Sequence, residues 1–207
     1  AATGAEKIVL VNRAGSPQSL IQGVLPTAVS GSGDFLPYSI GNDGLGGGFL
    51  GRINMNLRED KHWSYGGSAG FARNANAVGY WLSAPVQADQ TGPSLAEMRR
   101  ELKEYVTTRP QTQVEFDRAV TGAIRQLPGQ YETSFDVLGA VESNDLYKRA
   151  DDYQATLPQR YRALTPAQTR AAVKAAVNPA ATTWIVVGDA AKVKPQLDSL
   201  GLPVEVI

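Results

Sequence analysis

The sequence has no cysteine and only one histidine, His62, among its 207 residues. The first absence excludes disulfides, thiolate metal sites and a cysteine nucleophile, without selecting a compartment. The second leaves no metal site built on two histidines. Net charge is missing too: 20 basic residues balance 20 acidic ones. No basic stripe argues for nucleic acid, and no charged tail argues for a membrane surface. No apolar run approaches the length of a membrane span. Residues 1–6 lack the layout of a signal peptide, which is the expectation for a mature, truncated or cytosolic chain. No low-complexity linker and no internal repeat divides the chain. Residues 1–207 therefore read as one domain, large enough to bury a sizeable core.

What is present is periodic. Residues 7–11 alternate and read as a strand, and 19–29 read as a second one, interrupted near Pro26. Asp34 and Pro37 mark a helix start that would bury Phe35, Leu36, Ile40 and Leu45. Phe49, Ile53 and Leu57 recur every four residues and predict a helix over 49–59. Segments 65–72 and 77–84 read as a hairpin. Ser94 with Glu97, Thr112 with Glu115 and Thr165 with Gln168 carry capping-box spacing. The helix after Ser94 has Leu95, Met98, Leu102 and Tyr105 on its inner face. A helix over 131–149 would bury Phe135, Leu138, Val141 and Leu146, and a short one is expected at 153–157. Residues 183–187 read as a buried strand, 190–200 as a helix and 204–207 as an edge strand. Strand runs segregated from helix runs predict an α+β fold: a mixed sheet with helices packed on one face.

The densest block of signals is 44–65. Gly46, Gly47 and Gly48 precede the 49–59 helix, although glycine runs disfavour helix. Leu57-Arg58-Glu59 close that helix, and Tyr65 follows Arg58 by seven residues. Leu45-Gly46-Gly47-Gly48-Phe49, Leu57-Arg58-Glu59 and Tyr65 together resemble the C-terminal, non-zinc-binding domain of the pitrilysin (insulinase, mitochondrial-processing-peptidase-like) zinc peptidase family. The resemblance runs from the strand at residue 7 to Trp184-Ile185-Val186-Val187-Gly188-Asp189 and the closing strand. Zinc hydrolases of that family hold metal through His-x-x-Glu-His and a distal Glu. A chain with one histidine cannot build that site, so no metal ligand is assigned here. The resemblance implies that zinc belongs to a homologous domain or subunit that closes over a peptide like a clamshell. It further implies that Arg58 binds substrate, that Tyr65 stabilises the tetrahedral intermediate, and that Gly46–Gly48 approach substrate closely. The isolated chain is then expected to be inactive. The expected whole is a polypeptide of roughly 400 residues with two homologous domains, or a dimer of two subunits. A periplasmic setting follows only from the family, and substrate and compartment stay open.

Each residue also has a plainer reading. Arg58 could be solvated and Tyr65 half-buried in the core. The glycines could serve a helix break or a close helix–sheet contact, and the run lacks the Lys-Ser/Thr of a phosphate loop. Glu59, Asp60, Glu101, Glu104, Asp151 and Asp152 fit solvated helix ends. Trp63, Tyr80 and Trp81 fit packing across the hairpin better than a peptide channel. Two alternatives to the peptidase reading stay open: a structural homologue with no peptidase role, and a domain that captures peptides by strand addition at a sheet edge.

Overall fold

Alternating side chains set the sheet. The computed structural model describes residues 4–207. Six strands, β1 (Lys7–Asn12), β2 (Gln18–Pro26), β3 (Ser68–Arg73), β4 (Val78–Gln87), β5 (Thr183–Gly188) and β6 (Val204–Val206), join in the order β3-β4-β2-β5-β1-β6. β1 runs parallel to β5 and β6, and the other pairs are antiparallel, so the sheet is mixed. Register places Ile8 beside Trp184, Leu10 beside Val186, and Ile21 between Ala84 and Val186. All of these are fully buried on one face. Their neighbours Val9, Val11, Leu20, Val24, Trp81, Ile185 and Val187 point to the opposite face, which is only partly covered. β2 stops at Pro26, three residues earlier than expected, since proline lacks the N–H needed to extend the ladder.

Helices cover the buried face. α1 (Leu36–Gly46), α2 (Arg52–Asn54), α3 (Thr91–Tyr105), α7 (Pro166–Ala176) and α8 (Ala190–Asp198) send Leu45, Ile53, Leu95, Met98, Leu102, Val173 and Leu197 into one core with the strand residues. Each such side chain contributes on the order of 1.5–3 kcal/mol by leaving water. α4 (Gln113–Gln126) and α6 (Tyr153–Ala163) add two smaller clusters around Phe116 and Leu157. The boxes at Thr112 and Thr165 cap α4 and α7 as their spacing requires.

Four local expectations give way to tertiary contacts. Ser94 does not cap α3, which begins at Thr91. The Gln196 side chain, from α8, accepts from Gly92 N at 3.0 Å and donates to Ala88 O at 2.8 Å, so the helix start is satisfied from 104 residues away. Phe35, the residue before α1, is only partly buried, and Phe49 is exposed because the segment before Arg52 is a turn rather than helix. The helix expected at 153–157 extends to Ala163. The helix over 131–149 is α5 (Ser134–Leu146), but its apolar side faces outward: Phe135 is 86 % exposed, and Leu138, Val141 and Leu146 are exposed as well. Amphipathic spacing shows that a helix has an apolar stripe; it does not supply the surface that covers it.

Candidate functional site

The glycines close α1 rather than open the next helix. Gly46 is its last residue and is buried; a Cβ there would fall 2.2 Å from the Ala69 nitrogen of β3. Gly47 donates to Asp43 O, and Gly48, at φ +63°, turns the chain in a conformation natural to glycine. Phe49 and Leu50 then project into solvent. Arg52 starts α2 and forks onto Glu115 at 2.7 and 2.8 Å, while its guanidinium lies 4.9 Å from the Tyr105 ring centre. Burial works against ionising Glu115, but hydrogen bonds from Arg52 and Thr112 outweigh it and hold its carboxyl below the usual range.

After Asn54 the helix widens into a π-helical stretch, Met55–Asp60. Its inner side chains are well anchored. Leu57 is buried, and Asn56 donates to Glu97 Oε2 at 2.6 Å and to Glu101 Oε1 at 3.1 Å on α3. Glu101 is therefore buried, not part of a solvated helix end. Such widened turns often accompany functional positions. The stretch ends where His62 takes φ +59°, with its Nδ1 3.0 Å from Arg58 O.

The following loop is fastened from several sides. Leu57 O accepts from Trp63 N and Ser64 N, Trp63 O accepts from Gln87 N, and Asn54 Oδ1 accepts from Gly67 N. Ser64 bridges to Val86. Tyr65 thus lies in the loop before β3, not at the strand's start. Its ring is 84 % exposed, and its hydroxyl has no hydrogen-bond partner among the described residues. Arg58 is half-exposed, with Nε 3.2 Å from Glu59 Oε1 and its guanidinium 5.0 Å from the Phe49 ring centre. Both side chains border one open depression of about 360 Å³, together with Gln18, Glu59, His62 and Gln87. None of the three glycines lines it; Gly47 borders a separate groove with Phe49, Leu50 and Arg118.

Of the weighed aromatics, Tyr80 is core, its hydroxyl donating to Asn42 Oδ1 at 2.6 Å, while Trp63 and Trp81 are partly buried. The roles of Phe49 beneath Arg58 and of Asn56 behind it carried no signal in sequence spacing. No three His, Asp or Glu side chains gather into a metal cluster among the described residues, and His62 stands without a second imidazole. That donor set does not fit zinc, so no chemistry of this chain is routed through a metal.

The mixed sheet with one helical face is a fold shared with solved M16 inactive peptidase domains. A family model described as Peptidase M16 inactive domain matches residues 1–123, and the chain belongs to that family. Among solved structures, a peptidase M16 inactive domain from Pseudomonas fluorescens is 23 % identical with a TM-score of 0.79, over 91 % of this chain and 45 % of that one. The inactive peptidase domain of a zinc-protease candidate from Bordetella parapertussis is 18 % identical with a TM-score of 0.66, over 84 % of this chain and 93 % of that one. The periplasmic protease PqqL from Escherichia coli is 16 % identical with a TM-score of 0.73, over 91 % of this chain and 21 % of that one. The chain thus spans less than half the length of the Pseudomonas relative. No curated protein sequence matches it significantly. No helix among the described residues is long and apolar enough to cross a membrane.

Proposed function

We propose that residues 1–207 act as one unit, the metal-free half of a zinc-dependent endopeptidase, and complete a clamshell site on a homologous zinc-bearing domain or subunit. The observation that carries this reading is the shared depression: Arg58 and Tyr65 border one open surface, and the Tyr65 hydroxyl is uncommitted. In the closed site the Arg58 fork holds a substrate carbonyl or carboxylate. The Tyr65 hydroxyl donates to the oxyanion that develops as the peptide carbonyl becomes tetrahedral. The Arg58–Glu59 pair is exposed, and such pairs contribute little, so substrate can displace Glu59 at small cost. Gly48 and the exposed Phe49-Leu50 tip are the part of the glycine segment open to a substrate or a partner loop. Two apolar surfaces await cover and support pairing with a second half: the open sheet face around Val24 and Trp81, and the outer side of α5.

The test is metal analysis and peptide cleavage, first on the chain alone and then with the zinc-bearing half added. The isolated chain is expected to hold no stoichiometric zinc and to cleave nothing, and the pair to cleave. One tightly held zinc per isolated chain, or cleavage by it, would overturn the assignment.

A further inference from the structure

At the far end of β3 from Tyr65, arginines and aromatic rings alternate in a stack. The Arg73 guanidinium lies 4.7 Å from the Phe35 ring centre and 3.8 Å from that of Tyr147. Arg149 lies 4.9 Å from the same Tyr147 ring and 4.2 Å from Tyr153, and Arg160 lies 4.7 Å from Tyr153. Each ring attracts a cation, but two guanidiniums on one ring repel each other. Elsewhere in the chain, Arg52, Arg99, Arg100 and Arg109 are answered by carboxylates. Arg73 and Arg149 are not, among the described residues. Arg73 donates to the carbonyls of Gly31 and Gly33, and Arg149 donates to the Ser143 hydroxyl. Burial, then the Arg149 charge, hold Arg73 below its ordinary range.

A hollow of about 280 Å³ opens beside this stack, bordered by Lys148, Arg149 and Arg160 with Asp34 and Asp152. Asp34 is already engaged by Arg160 at 3.3 Å and by Leu36 N at 3.2 Å. Lys148 sits at φ +53°, just past the end of α5, where glycine or asparagine is usual. Its side chain is exposed and meets Asp145 on α5 at 3.3 Å, a solvent-facing pair that contributes little and that an incoming anion can displace. The chain keeps an amine at the rim of the hollow in spite of the backbone it imposes.

We propose that this hollow binds a carboxylate presented by a peptide, either an acidic side chain or the C-terminal carboxylate. An oxyanion between Arg149 and Lys148 relieves the repulsion along the stack and gives the unanswered guanidinium a fork partner. That the carrier is a peptide rests on the proposed function; the preference for an anion does not. The six residues of β3, at about 3.3 Å each, put the hollow roughly 20 Å from the Tyr65 end, so it is a separate site.

The test needs no zinc-bearing half, so it stands or falls apart from the peptidase reading. Fluorescence anisotropy on the 207-residue chain compares three labelled octapeptides: one with a single Glu and an amidated end, one with Gln in its place, and that Gln peptide with a free C-terminal carboxylate. At least one carboxylate peptide is expected to bind roughly tenfold tighter than the neutral one, and more weakly as salt rises. Which of the two binds identifies the source of the carboxylate. Arg149→Gln should erase the preference. Lys148→Gly should reduce it about threefold or more while raising the melting temperature, because glycine accepts this backbone. Equal binding of all three peptides overturns the proposal. So does a preference that survives Arg149→Gln, or a Lys148→Gly chain of undiminished affinity; the latter comparison decides if Arg149→Gln fails to fold.

Discussion

Arg52 and Arg58 sit six residues apart on one helical segment, each against a glutamate and an aromatic ring, yet they occupy different physical worlds. The Arg52 side chain is 13 % exposed and forks onto Glu115, which is 14 % exposed; the pair ties α2 to α4 over the Tyr105 ring. Arg58 is 44 % exposed; its guanidinium meets its sequence neighbour Glu59 and leans on the solvent-facing Phe49. The first guanidinium is committed to the fold and the second is available. Residue type and local spacing do not separate them; burial and the number of partners do.

Three experiments sharpen that comparison, in descending order of their effect on stability. Arg52→Ala strands a mostly buried carboxylate and should cost about 2–3 kcal/mol, read as a lower urea midpoint. A loss below about 0.5 kcal/mol would erase the distinction. Acid should expose the same pair. Hydrogen bonding from Arg52 and Thr112 holds the folded Glu115 carboxyl below its unfolded value, so the unfolded chain binds more protons as pH falls. The contribution of Glu115 is therefore complete above the unfolded carboxylate range and disappears as pH drops through the folded value. Wild type should lose stability more steeply than Glu115→Gln in that acid window, followed by thermal melts; parallel curves would contradict it. Arg58→Ala should change stability by no more than about 0.5 kcal/mol. In the assembled enzyme it should raise KM and lower kcat together, since a substrate fork acts in both ground and transition states.

The same contrast marks how far the sequence is legible. Alternation at 7–11, the hairpin pattern over 65–84 and the β-branched run at 183–187 pointed to strands that the sheet contains, and the boxes at Thr112 and Thr165 fixed two helix starts, because those signals depend on near neighbours. Arg58 and Tyr65 emerged from a family resemblance, and their common border on one depression could not be read from seven-residue spacing. The π-helical stretch is held by Asn56 hydrogen bonds to Glu97 and Glu101, 41 and 45 residues away, which no local spacing announces. Gln196 replaces Ser94 as the cap of α3 for the same kind of reason. The glycine run was legible as a close-packing signal, but not as the end of α1, since only the Ala69 backbone shows what Gly46 must clear. The face of α5 was legible as apolar but not as outward, because spacing shows a stripe and not what lies against it.

The central claim is that an uncommitted tyrosine at the end of this sheet serves chemistry completed by another half. Turnover of Tyr65→Phe in the assembled enzyme, on a quenched fluorescent peptide, tests it most directly. The ring is retained and the hydroxyl has no partner among the described residues, so the melting temperature should not move. The account predicts that kcat falls roughly 10²-fold or more while KM changes far less, the scale of one lost oxyanion donor. Unchanged turnover in a folded, assembled Tyr65→Phe enzyme would contradict it.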